Sequence, residues 1–183
     1  MAVFLVQHAD KVREPGDPGI TARGREHAAR TASWAHRVGV RRVYCSPLLR
    51  SHQTAEIIAS PLRLRPIEDV RATERLNWNG DIPFEVFAAE WQRTVEDRGY
   101  TPIGGDSSFT AAARLRDLVS ELAGLSGHTV IVTHGGVTVD LLRSLLGGAS
   151  LGTELLIEGV PSCAITTIQD GKPLTVASVG HLI

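Results

Sequence analysis

The chain has 183 residues, 43% of them hydrophobic, with 19 basic residues against 20 acidic and a formal net charge of −1. That length suits one domain with a substantial core, and the near balance of charge argues against a binder of nucleic acid or of a membrane surface. The longest apolar runs are far too short to span a bilayer. The two cysteines, Cys45 and Cys163, lie far apart without a Cys-x-x-Cys pattern, so neither a zinc site nor a disulfide framework is signalled; each reads as a small buried hydrophobe in a reducing cytoplasm.

Taken in order, residues 2–6 form an unbroken apolar run that leads straight into His8 and a polar, Pro- and Gly-rich loop over 9–20. Such a run bounded by turn residues predicts a strand buried on both faces, and the N-terminus shows neither the basic segment nor the longer apolar core of a signal peptide. Thr21 is a candidate N-cap, and Ala28, Ala32, Ala35 and Val38 recur at helical spacing up to Gly39; their small size implies close packing on a sheet. Residues 40–44 predict a second strand. The pair Ser46-Pro47 reads as a helix start, with Leu48, Ala55 and Ile58 on the buried face and Arg50 in the first turn, beside the sheet's carboxyl edge.

A short third strand is predicted over 64–67. From 71 to 105 the texture changes: Trp78, Phe84, Phe87, Trp91 and Tyr100 gather there, and residues 83–97 read as a helix, so a mostly helical insertion over the crevice is expected. Ala112, Leu115, Val119 and Leu122 mark the next amphipathic helix. A second apolar strand, 129–132, again delivers a histidine, His134, followed by a buried helix over 137–146 that Gly147-Gly148 stops. Two late strands, 163–168 and 174–179, are joined by the hairpin signal Asp170-Gly171. Strand–helix alternation ending in a hairpin predicts one α/β domain over 1–183, a three-layer sandwich with a mostly parallel sheet and an antiparallel edge.

In open α/β sheets ligands sit outside the carboxyl ends of the strands, and His8, Arg50 and His134 all fall there. A planar guanidinium fork and two imidazoles suit a phosphoryl group, while no Gly-rich Walker loop is present. At these residues the chain resembles the histidine phosphatase superfamily, with its phosphoglycerate-mutase-like fold. Leu5-Val6-Gln7-His8-Ala9 is similar to its Leu-Val-Arg-His-Gly signature, and Thr21-Ala22-Arg23-Gly24 to its Leu-Thr-x-x-Gly turn. Residues 46–55 match Ser-Pro-Leu-x-Arg-Ala-x-x-Thr-Ala, and Val132-Thr133-His134-Gly135-Gly136 matches the second-histidine motif.

The resemblance implies that His8 attacks phosphorus and carries a transient phosphohistidine. It also implies that Gln7, Arg50, His134 and Gly135 surround the phosphoryl oxygens, and that Glu74 gives a proton to the leaving oxygen. A carboxyl beneath an aromatic-rich cover is placed to keep that proton. The departure is Gln7, where the family has arginine. A hydrogen bond to a charged group contributes about 1.5–3 kcal/mol, so losing a bidentate charged contact costs about 10- to 10³-fold in rate unless Lys11, Arg13 or Arg23 compensates. Of the other histidines, His27, His36 and His128 read as surface residues, His52 faces away from Arg50, and His181 as a polar residue near the C-terminus. The expected function is a metal-independent, cofactor-free phosphatase acting on a small phosphorylated metabolite in the cytoplasm, with no nucleic-acid or membrane partner. The alternatives are a phosphoglycerate-type mutase and, from a different class, a pseudophosphatase that only binds a phospho-ligand.

Overall fold

The computed structural model describes residues 1–147, 151–152, 155–156 and 159–183. Strand β1 (Ala2–Gln7) alternates between two cores: Ala2, Phe4 and Val6 enter one, Val3 and Leu5 the other. Burial of both faces is why its sequence is apolar without interruption. Strands β2 (Val40–Cys45), β3 (Ile67–Glu68) and β4 (His128–Thr133) run parallel to it. Strand β5 (Ile165–Gln169) pairs antiparallel with β1, and β6 (Lys172–Ser178) antiparallel with β5. The sheet order is β3-β2-β4-β1-β5-β6, a mixed six-stranded sheet.

Helices α1 (Ala22–Arg37) and α2 (Leu49–Ala59) cover one face, pressing Ala35, Ala55 and Ile58 onto Phe4, Val43 and Val132. The other face is covered by α4 (Ser108–Ala123) and α5 (Gly135–Leu146). There Leu115, Leu118, Leu122 and Leu141 meet Val3, Leu5 and Ile131. Each such leucine contributes about 1.5–3 kcal/mol by leaving water. Helix α3 (Phe84–Glu96) belongs to the 71–105 stretch. Thr21 caps α1 as expected, accepting from Gly24 N at 3.0 Å. A Cβ on Gly24 would sit 2.4 Å from Asp10 O, so only glycine lets the loop after His8 lie this close to the helix.

Several details differ from the sequence reading. Ser46-Pro47 does not open α2; the N-cap is Leu48, and the N–H of Leu49 donates to both carboxylate oxygens of Asp17 at 2.9 Å. Strand β3 keeps only two residues, because Arg63 adopts a left-handed φ of 57° and Pro66 has no N–H to give a ladder. The stretch 71–105 is not mostly helical: α3 is its one α-helix, and Gly80, Pro83, Gly99, Pro102 and Gly104-Gly105 break the rest. Asp170 and Gly171, both at positive φ, make the expected two-residue hairpin, though β5 starts later than predicted because Cys163 also takes a positive φ of 58°. Gly147 follows α5 directly, and Gly148 lies outside the described residues. His128 is no surface residue: it starts β4, accepts from Ala2 N at 3.2 Å and packs on Phe4. His27 is half-buried on α1, while His36 is exposed. His52 faces Glu56 and Glu68, and His181 reaches Thr31 and Trp34 on α1.

Candidate active site

Register brings the site together. Gln7 pairs with Thr133 and Cys45 with Val132, so the next residue of each strand, His8, His134 and Ser46, projects from one edge. The His8 N–H donates to Thr133 O at 3.0 Å and that of Ser46 to Val132 O at 3.1 Å. The two imidazole centroids are 5.1 Å apart. Two hydroxyls on the inner face of α2 fix it against this edge. Ser51 Oγ donates to Val132 O at 2.8 Å and accepts from Ser46 N; Thr54 Oγ1 accepts from Ala9 N at 3.0 Å and donates to Arg50 O. Arg50 is thereby aimed at His8.

The hydrogen bonds assign the His8 tautomer. Nδ1–H donates to Ala9 O at 2.8 Å, and Nε2 accepts from Arg50 Nε at 3.3 Å. The lone pair therefore lies on Nε2, as a nucleophile requires. Burial, followed by the Arg50 charge, pushes the His8 pKa down from 6.5 to about 3, so the imidazole is neutral at physiological pH. His134 is fully buried; burial, then His8 and Arg50, holds it well below its ordinary range. Its Nε2 meets Ser46 Oγ at 2.8 Å. Among the described residues, His134 Nδ1, Arg50 Nη1 and Gln7 Oε1 are buried without a hydrogen-bond partner in the protein. Arg50 Nη2 donates to Asn77 Oδ1 at 3.0 Å, and Nη1 lies 3.6 Å from Asp17 Oδ1.

Glu74 sits where the first turn of α5 begins. Its carboxylate accepts from Gly136 N and Val137 N at 2.9 Å and from Arg75 N at 2.8 Å. Three N–H donors thus converge on one carboxylate at the start of α5, and the aromatic Trp91 lines the same cavity as Glu74. A Cβ on Gly136 would fall 2.6 Å from both Glu74 Oε1 and Trp91 Cη2, so glycine is what admits these two side chains.

His8, Arg50, Glu74 and Lys11 line one cavity of about 230 Å³, together with Asn77, Glu14 and the aromatic residues of the insertion. Of the phosphate-binding residues expected beside them, His134 lies beneath the cavity in ring contact with His8, and Gln7 and Gly135 are not part of the lining. Gln7 Oε1 instead lies against Gly135, 3.6 Å from where its Cβ would stand. Lys11 is half-buried; burial lowers its pKa, then the Arg50 and Arg13 charges. Arg13 and Arg23 are exposed and outside the lining. Sequence reasoning missed Asn77 and Asp17, which grip Arg50, and the hydroxyl of Ser46, whose role as partner of His134 was hidden behind its resemblance to a cap.

The probable phosphoglycerate mutase GpmB of Proteus mirabilis is 27% identical over 164 residues, covering 80% of this chain and 75% of that protein. Among solved structures, YhfR of Bacillus stearothermophilus superposes with a TM-score of 0.75 at 24% identity, covering 100% of this chain and 99% of the other. A mycobacterial glucosyl-3-phosphoglycerate phosphatase with inorganic phosphate gives 0.71 at 24% identity, covering 91% and 88%. An Entamoeba histolytica phosphoserine phosphatase gives 0.70 at 22%, covering 100% and 99%. The family model that takes in both histidine motifs matches residues 6–176, nearly the whole chain, and with it the chain belongs to the histidine phosphatase superfamily, branch 1.

Proposed function

We propose that the protein is a metal-independent phosphatase that hydrolyses a small phosphomonoester through a phosphohistidine. The observation that carries this reading is the unprotonated Nε2 of His8, facing a cavity beside the Arg50 guanidinium. Nε2 attacks phosphorus as the P–O ester bond breaks and its electron pair leaves with the alcohol oxygen. That oxygen takes its proton from Glu74, which lines the same cavity as His8. Water then attacks the phosphorus while Glu74 takes one of its protons, and the P–N bond breaks with its electron pair returning to Nε2, which releases phosphate and a neutral His8. Arg50 and His134 stabilise the charge on the phosphoryl oxygens in both steps. Lys11 is the other cation in the cavity lining.

The reading is tested by brief reaction with a labelled phosphomonoester in EDTA, followed by quenching. Acid-labile, base-stable label should appear in the natural protein and vanish in His8→Ala. Label persisting in His8→Ala would place the nucleophile elsewhere, and complete loss on chelation, restored by a divalent ion, would overturn the side-chain mechanism.

A further inference from the structure

The cavity brings two chemistries together. His8, Arg50 and Glu74 line it alongside four aromatic residues, Trp78, Phe84, Phe87 and Trp91. The four aromatic rings contact one another in sequence. Trp78 and Phe84 meet edge to face with centroids 5.2 Å apart, and Phe84–Phe87 and Phe87–Trp91 follow at 6.1 and 6.2 Å. The Trp78 indole N–H is occupied by Ile82 O at 2.9 Å, which leaves the ring as an apolar wall. Phe84 stays 53% exposed, so part of its ring remains open to a ligand.

The charges point the same way. The lining holds two cations, Lys11 and Arg50, and two carboxylates, Glu14 and Glu74. Both cations are claimed by the phosphoryl group, so none remains for a second anionic group, and Glu14 in the lining repels one. Pockets for drug-sized ligands span about 300–1,000 Å³; at about 230 Å³ this one accommodates a phosphoryl group and a single ring system. Building on the phosphatase reading above, we infer that the alcohol released is uncharged and aromatic, held by the Trp78, Phe84, Phe87 and Trp91 wall, rather than a carboxylated triose or a sugar.

Benzyl phosphate, glycerol 2-phosphate and 3-phosphoglycerate all expel alkoxides, so differences among them reflect recognition more than leaving-group chemistry. The natural protein should turn over benzyl phosphate with kcat/KM on the order of tenfold or more above the other two, since stacked aromatic contacts discriminate at that level. Phe84→Ala, at a half-exposed position where folding is little at risk, should bring the ratio towards one. Equal rates on the three, a preference for 3-phosphoglycerate, or a ratio unmoved in Phe84→Ala would overturn the aromatic assignment while leaving the phosphatase reading in place. If no ester is turned over in a His8-dependent way, the phosphatase reading fails instead. Calorimetric binding of benzyl phosphate against glycerol 2-phosphate to His8→Ala then reads the ring preference on its own: tighter benzyl binding sustains it, equal binding ends it.

Discussion

The strand edge and the 71–105 insertion are built on opposite principles. At the edge, His8, Arg50 and His134 are buried and held by contacts that run through backbone and hydroxyl groups of β4 and α2. In the insertion one helix is flanked by loops, and several large apolar side chains, Phe84 and Val86 among them, face solvent. Desolvated, fixed charge is worth most where a phosphoryl group develops charge, and such precision tolerates little variation. Apolar walls on a half-exposed helix demand less and change more freely. If the proposed phosphatase holds, the difference teaches that the chemistry and the choice of substrate reside in separate parts of the chain.

Removing an edge residue should then hurt every substrate alike. Arg50→Ala is expected to lower kcat on the order of 10³-fold, since it deletes the main charge opposing the phosphoryl oxygens; a loss that varied widely with the alcohol would erase the division. Glu74 stands on the border of the two regions. Glu74→Gln should slow benzyl phosphate by about 10²- to 10³-fold more than 4-nitrophenyl phosphate, whose leaving group needs little protonation, whereas equal losses would make Glu74 a structural cap of α5.

Acid should expose the same division through stability. The folded pKa of His8, about 3, lies below its ordinary 6.5, and His134 shifts in the same direction. Between those values the unfolded chain binds protons that the folded chain refuses, so stability is complete above pH 6.5 and falls as the pH drops below it. Each histidine costs about 1.4 kcal/mol per pH unit, a factor of ten in the folding equilibrium. Urea titrations at pH 7 and 5 should show this loss, and His8→Gln should remove about half of it; an unchanged slope would mean that His8 titrates normally. The smallest effect expected is a gain: Gln7→Arg should raise kcat/KM by about tenfold, with part of it in kcat. No gain, joined to a severe loss in Lys11→Ala, would show that Lys11 already fills that place.

Most of the sheet and the phosphate end were legible because their signals are local. A doubly buried strand has to be apolar throughout, as residues 2–6 are, and the residue after it reaches the carboxyl edge by geometry alone. What stayed hidden depends on partners distant in sequence. Asp17 caps α2 from 32 residues away, while the Ser46 hydroxyl meets His134 and accepts from Leu48 N at 3.3 Å. Asn77 grips Arg50 from 27 residues away. Glu74 was recognisable through its motif, yet only the fold reveals that α5 receives its carboxylate, because nothing near position 74 announces a helix beginning at 135.

The position of β1 has a consequence for how the chain comes to be. Its ladder partners are residues 128–133 and 165–169, so β1 leaves the ribosome long before either of the strands that pair with it. Until then Ala2–Val6 is an apolar segment without a neighbour, the kind of edge that invites association with other chains. Closing a loop of more than a hundred residues before β1 gains either ladder also slows the completion of this sheet. His8, the proposed nucleophile, is thus translated early but takes its place late, when β4 arrives carrying the second histidine and the carbonyl that holds His8.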